Sequence, residues 1–396
     1  MAAEVLVAHP ALQHAHQLAL ALHERLLLRG FYSGVPVAAA GDPLPWWLPD
    51  SYQRKIKRVE IPVALRRHPV RFQTLLRAGS AFGSTSARTD RAHRVFHWFD
   101  AWMARRVLHL RPKVVVAYEN SACLTFRAAR KVGALCVLDA PSVHHRSGAI
   151  LMETELTPYT PEINRRKDEE VDLADLVLTC SPFAAKTYLD NGVAPSKVQP
   201  LLLGAELPED MSSTQGQRSP GPPRFVFAGA LSRRKSVDLI VSTFKRLHDE
   251  GLRYELQFVG GVAEQDLLRE VLNTPNASYH PGVAQRDLFP MLANADCLLL
   301  PSRFDSFGMV VAEAMACGTP ALVSTQTGAK ALIEALPGSG WVVEPTLASL
   351  HTTLQCLLRD PTLLQTARAE AIKARDQFSW RAYRRRAGDL FEDLVC

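Results

Sequence analysis

Short, nearly continuous apolar runs alternate along this chain with segments whose apolar residues recur at helical spacing. The first kind reads as a buried strand of a parallel sheet, the second as a helix covering it. In the N-terminal half, strands are predicted at residues 4–8, 113–118 (KVVVAY), 134–138 and 176–180. Helices are predicted there at 17–28, 124–132, 164–174 and 182–191. Residues 36–49, with Trp46 and Trp47, read as a Pro/Gly-rich connection, and 52–110 as basic, amphipathic helices. A polar stretch rich in Pro, Gly and Ser (PEDMSSTQGQRSPGPP, 208–223) reads as a linker. Alternation then restarts, with strands at 224–229 (RFVFAG), 254–261, 277–280, 297–301 and 321–325. The helices between and after them are predicted at 237–250, 264–272, 286–293, 309–317 and 329–335.

Strands alternating with helices require parallel sheets covered on both faces. The fold class is therefore α/β, with two Rossmann-like, doubly wound domains, residues 1–207 and 224–375, joined by the linker at 208–223. Such halves are expected to face a cleft between the C-terminal edges of their strands.

Composition narrows the class. At 396 residues the chain is long enough for two cores, and 47% apolar with 22% charged residues is ordinary for a globular protein. No run of 18 apolar residues occurs, so no membrane-spanning helix is expected. The start, MAAEVLVAHPALQHAH, lacks a charged leader before an apolar core, so a cytoplasmic protein without a signal peptide is expected. Seven cysteines lie singly, without CxxC spacing, which fits reduced core residues and neither a disulfide frame nor a zinc site. The net charge of +6 is uneven: residues 54–113 hold 15 Lys and Arg against Glu60, Asp90 and Asp100. That segment suits peripheral contact with an anionic membrane or a polyanionic acceptor, or is a solvated Arg-rich face. It lacks a zinc finger or interleaved aromatics, so no nucleic-acid partner is expected; Phe96, Trp98 and Trp102 recur at helical spacing, as core or membrane-facing residues do.

The most informative stretch is PSRFDSFGMVVAEAMACGTP, residues 301–320. A strand ends at Pro301, a polar loop carries Asp305 and Ser306, and a helix from Met309 carries Glu313, eight positions beyond Asp305. The free N–H groups of Gly308, Met309 and Val310 lie between the two acids. Carboxylates for sugar hydroxyls and a helix N-terminus for a diphosphate make this a seat for a sugar nucleotide. A second strand–loop–helix, FAGALSRRKSVDLI, places Gly229, Ser232, Arg233, Arg234 and Lys235 at a helix start, where adjacent cations suit a diphosphate. The plain alternative is an ordinary surface Arg-Arg-Lys run.

The segment PSRFDSFGMVVAEAMACGTPALVSTQTGAKALIE resembles the signature of retaining, nucleotide-sugar-dependent glycosyltransferases of family 4, whose fold is GT-B. FAGALSRRKSVDLI resembles the family's phosphate loop, and HPGVAQRDLFPMLANADCLLLPS the segment before its acidic motif. DLADLVLTCSPFAAKTYLDNGVAPSKVQPLLLGAEL is similar, more loosely, to the end of its first domain. QFSWRAYRRRAGDLFEDL resembles its last helix, so residues 376–396 are expected to return to the first domain.

The resemblance implies a hexosyltransferase-type enzyme moving a sugar from a UDP- or GDP-sugar to a glycan, lipid-linked or small-molecule acceptor. No metal or other cofactor is implied. By position, Arg234 and Lys235 would hold the donor diphosphate and Glu313 the ribose hydroxyls. Asp305 stands where the family has its first glutamate, near the donor sugar. The amides around Phe307 to Met309 would hold sugar and phosphate, and Gly260, Gly282 and Val283 would seat the base. His144 falls where members place a histidine near the transferred sugar, with His145 competing for the role. Three departures stand out. Asp305 is one methylene shorter than glutamate, Ala230 stands where an arginine is frequent, and Ser236 replaces the usual glycine after the lysine. After the first strand the glycine-rich turn is missing; His9, Gln13 and His14 there either cap the following helix, the reading favoured here, or touch acceptor or diphosphate. Tyr118, Glu119 and Asn120 are a further acceptor-site candidate. The rival readings are a sugar-nucleotide epimerase on the same fold and a non-catalytic partner subunit derived from a transferase.

Overall fold

The computed structural model describes residues 4–39, 41–42, 56–152, 157–206 and 221–395. Trp46, Trp47, Cys396 and most of the 208–223 linker lie outside the described residues. The chain divides into two units: one holds residues 1–179, 187–201 and 383–396, the other residues 180–186 and 202–382.

In the first unit the strands are β1 (Val5–His9), β2 (Leu28–Ser33), β3 (Val37–Ala38), β4 (Lys57–Arg58), β5 (Arg66–Arg67), β6 (Val114–Tyr118), β7 (Leu135–Ala140), β8 (Leu176–Thr179) and β9 (Val198–Pro200). Seven form one sheet, ordered β5-β2-β1-β6-β7-β8-β9, while β3 and β4 pair separately. Each pairing is parallel, as strands buried on both faces and linked by helices must be. Chain order reverses between β1 and β6, the position where such sheets bind ligands.

Two expectations fail in this unit. The helix predicted over 17–28 covers only Ala15–Glu24, and its apolar tail enters β2 at Leu28. Leu26, at φ +59, breaks the helix, and Leu27 and Leu28 are buried as sheet residues. The stretch 52–110, read as helical throughout, begins within its described part with β4, a short 3-10 turn and β5 before the helices Val70–Ser80 and Thr85–Leu110. Of the three aromatics singled out, Trp102 packs beside Phe72 and Phe99, whereas Trp98 is exposed.

The second unit has a six-stranded parallel sheet of β10 (Arg224–Ala228), β11 (Glu255–Val259), β12 (Ala277–His280), β13 (Cys297–Leu300), β14 (Ala321–Ser324) and β15 (Gly340–Val343). The order β12-β11-β10-β13-β14-β15 reverses between β10 and β13. Its central strands β13 and β14 are fully buried, and Phe225, Phe227, Phe244 and Phe258 fill the core. Strands β9 and β15 and the helices Leu347–Arg359 and Thr362–Ala371 went unread in the sequence. Among the described cysteines Cys123, Cys136, Cys180, Cys297 and Cys317 are buried and free, and Cys356 is free and exposed. No described helix is long and apolar enough to cross a membrane.

Candidate functional site

The second unit gathers its loops at the C-terminal edge of its sheet. After β10 the chain passes Gly229 and makes a 3-10 turn, Arg233–Lys235, capped by Ser232, whose Oγ accepts the Lys235 amide at 3.4 Å. Lys235 Nζ donates to Asp305 Oδ2, across the point where strand order reverses. Arg234 donates to the Phe304 carbonyl at 3.1 Å, and the Arg303 amide donates to the Arg234 carbonyl at 3.0 Å. The phosphate-loop cations and the acidic loop are thus one assembly.

Arg233 takes a different path. Its guanidinium is held by Glu264 and Asp266, so Arg233 meets the acidic loop through its carbonyl, which accepts from Arg303 at 2.6 Å. Arg234 and Lys235 reach that loop with their side chains. Ser236, in the place of the family's usual glycine, sits at φ +59 and ψ +33, a left-handed conformation that glycine adopts without strain.

Glycines let the loops meet. A Cβ on Gly260 would lie 1.9 Å from the Gly229 carbonyl oxygen, and one on Gly328 would lie 2.0 Å from that of Ser306. Gly328 and Arg303 were missed in the sequence, yet both fix the acidic loop. The Gly328 amide donates to the Asp305 carbonyl at 2.9 Å, and Arg303 makes two 2.7 Å bonds to Asp238. The Ser306 carbonyl accepts the Ser181 hydroxyl at 2.6 Å, and the Phe307 amide donates to Asp305 Oδ1 at 3.3 Å. Gly308, at φ +85, opens the helix Met309–Ala316, whose first amides, Met309 and Val310 among them, have no intrahelical acceptor.

Glu313 is held elsewhere: Gln285, a third residue missed in the sequence, donates to its Oε1 at 2.6 Å. Burial raises the Glu313 carboxyl above its ordinary pKa, with the Gln285 hydrogen bond opposing. The two acids therefore answer to different partners, Asp305 to a cation and Glu313 to an amide. Val283, two residues before Gln285, is 42% exposed, and the Gly260 amide donates to the His280 carbonyl at 3.0 Å. A signal for Gln285 existed, because it opens the helix following the segment expected to seat the base.

The first unit carries a different kind of chemistry. His9, at the end of β1, is fully buried; its Nδ1 accepts the Ala11 amide at 2.9 Å, and burial lowers its pKa to about 3. Gln13 donates to the Tyr118 hydroxyl at 2.9 Å, and His14 pairs with Asp139 at 3.0 Å. The reading of these three residues as helix caps is wrong, since the helix Ala15–Glu24 has no side-chain cap. The partners of Gln13 and His14 lie on β6 and β7, more than a hundred residues away.

His144 is buried, stacked on His145 at 4.6 Å and edge-on to Tyr188 at 5.2 Å. Burial, then His145 and Arg146, lower its pKa to about 4, so the ring is neutral near pH 7. His145 is committed to Asp168 at 2.7 Å, which leaves His144 as the less engaged of the two. His144, His145 and Asp168 offer ligand atoms within 4.8 Å of one another, but Arg146 shares Asp168 and weighs against a cation there. Glu119 meets Lys167 at 3.3 Å, and Asn120 is fixed by its neighbours: its amide donates to Glu170, and its side chain contacts His93 and His97.

Residues 210–377 match the family model described as glycosyl transferases group 1. The chain is similar to D-inositol 3-phosphate glycosyltransferase 1 of Catenulispora acidiphila, 28% identical over 208 residues, 48% of this chain and 50% of the relative. It is also similar to a glycogen synthase of Thermus thermophilus, 32% identical over 127 residues, 32% of this chain and 29% of that one. The chain spans about half the length of the first curated relatives it matches.

Solved structures match over nearly the whole chain. A UDP-forming α,α-trehalose-phosphate synthase from Burkholderia vietnamiensis gives a TM-score of 0.65 at 13% identity, covering 100% of this chain and 98% of its own. Anabaena HepE, solved in complex with UDP, gives 0.64 at 15% identity, covering 98% and 100%. At such identities the likeness is one of fold. By sequence the 210–377 region matches glycosyl transferases group 1, and by structure the chain shares the GT-B fold of these proteins.

Proposed function

We propose that this protein is a retaining family 4 enzyme that transfers a sugar from a UDP- or GDP-sugar to a hydroxyl of a glycan, lipid-linked or small-molecule acceptor. Its setting is polysaccharide or glycoconjugate synthesis in the cytoplasm, with the basic 54–113 segment available to an anionic membrane face. The observation that carries the reading is the joining of Lys235 to Asp305 at the switch point of the second sheet, beside the helix that bears Glu313.

In this reading the acceptor oxygen bonds to the anomeric carbon as the bond from that carbon to the diphosphate oxygen breaks. The acceptor proton passes to the departing phosphate. Lys235, Arg234 and the amides of Met309 and Val310 meet the charge that develops there, so the step needs no metal. Glu313 takes the ribose hydroxyls, Asp305 the sugar, and the backbone at Gly260 and Val283 the base. His144, neutral near pH 7, serves as a hydrogen-bonding partner of the sugar and not as a cation.

The test is donor turnover across UDP- and GDP-sugars with product analysis. Sugar transfer with retained configuration, lost in Lys235→Ala, supports the reading. Binding of neither nucleotide and no donor hydrolysis would sink it.

A further inference from the structure

A cavity of about 350 Å³ lies in the first unit, lined by residues that follow β1 and β2. The volume is at the small end of the range for small-molecule sites. The apolar part of the lining is Leu12, Val35, Pro36 and Leu76. The polar part is Lys57 on β4, with Gln73, Arg77 and Ser80. None of these lining side chains is acidic.

The local sequence builds this polarity. Gln73, Leu76, Arg77 and Ser80 fall at helical spacing, so they share one face of the helix Val70–Ser80. Phe72 anchors the same helix; it is buried and meets Phe99 and Trp102 at 5.3 and 5.8 Å between ring centres. The loops opposite are held by backbone: the Gly34 amide donates to the His9 carbonyl at 2.9 Å, and a Cβ on Gly34 would lie 1.8 Å from the Pro10 carbonyl oxygen. Among the described residues the Lys57 ammonium has no ion pair or hydrogen bond. A cavity whose lining sets apolar side chains beside an unopposed ammonium and a guanidinium matches a phosphate carried next to apolar atoms.

We propose that this cavity seats a phosphate group of the acceptor with the apolar atoms beside it, Lys57 and Arg77 meeting the anion. The word acceptor rests on the transferase reading above; the affinity for a phosphorylated ligand rests on the cavity.

The test is calorimetric titration of the full chain with phenyl phosphate, inorganic phosphate and phenol. The protein is first saturated with whichever of UDP or GDP binds, so that the Arg234–Lys235 loop is occupied. Phenyl phosphate is expected to bind more tightly than inorganic phosphate, and phenol not at all. Lys57→Ala and Arg77→Ala should each weaken phenyl phosphate by about ten-fold while leaving nucleotide affinity and melting temperature unchanged. No phenyl phosphate binding, or binding untouched by both substitutions in proteins that still bind nucleotide, overturns the proposal. Failure of both nucleotides to bind overturns the transferase reading instead; the same titration on free protein then tests the cavity through the two substitutions. Binding to phosphatidylcholine vesicles containing phosphatidic acid, lost in both variants, assigns the phosphate to a lipid. Binding of phenyl phosphate without vesicle binding assigns it to a soluble acceptor.

Discussion

The two sheets solve one backbone problem in the same way and then use it for different chemistry. In each, the loop after the second strand touches the loop after the first: Gly34 on Pro10 in the first unit, Gly260 on Gly229 in the second. Side chains make the difference. The first loop of the first unit presents His9, Gln13 and His14, tied to Ala11, Tyr118 and Asp139. The corresponding loop of the second unit presents Arg234 and Lys235, tied to the acidic loop. A buried, neutral imidazole offers a hydrogen bond but little charge, whereas a partly exposed ammonium neutralises a departing diphosphate. On the proposed reading, donor chemistry belongs to the second unit, whose first loop carries the cations that the β1 loop of the first unit lacks.

The largest effect should come from the second unit's charged assembly. Lys235→Ala and Glu313→Ala are each expected to lower kcat/KM for donor turnover by about a hundred-fold or more. Wild-type turnover in either variant would erase the contrast between the units.

Next come the glycines, which test whether the shared backbone contact is real. Gly34→Ala and Gly260→Ala should each destabilise the fold by about 2–4 kcal/mol in urea unfolding, because the new methyl meets a carbonyl oxygen. Gly260, at φ +146, should suffer more than Gly34, which has no such backbone constraint. Changes of only a few tenths of a kcal/mol would show that the loops part easily.

Acid should act on the first unit through its histidines. Burial lowers His9 to about 3 and His16, His93 and His144 to about 4, all from an ordinary value of 6.5. Between those values the unfolded chain binds protons that the folded chain does not, so stability falls as pH falls. Their contribution is complete above about pH 6.5 and is lost as pH drops towards about 4. Unfolding followed at Trp102, packed in the first core, should show that loss; a flat response over this range contradicts the burial of these rings.

The smallest effect is expected at Ser236. Relief of its left-handed backbone in Ser236→Gly should raise stability by about 1 kcal/mol. No gain would contradict strain in the Ser236 backbone, since among the described residues its buried hydroxyl makes no hydrogen bond that could offset it.

How much of this was legible in the sequence differs between the units for a physical reason. In the second, each candidate side chain sits in the loop after a strand or in the helix that this loop opens, so an apolar run followed by a polar loop marks it. Asp305, Lys235 and Glu313 stood out in this way. In the first, function and stability run through contacts such as Gln13 to Tyr118 and Glu170 to the amides of Asn120, Ala122 and Cys123. No local pattern announces partners so far apart. The helix end near Glu24 was missed because Leu26 to Leu28 continue the apolar spacing although the backbone turns. Gln285 and Gly328 were missed because their roles lie in what they hold: a carboxylate on another helix and a carbonyl on another loop.

The most direct measurement is calorimetric titration of the full chain with UDP and with GDP, beside Lys235→Ala. The account predicts that one nucleotide binds the wild-type protein and that the substitution weakens it severely without lowering the melting temperature. Binding of neither nucleotide, or equal binding by both proteins, would contradict it.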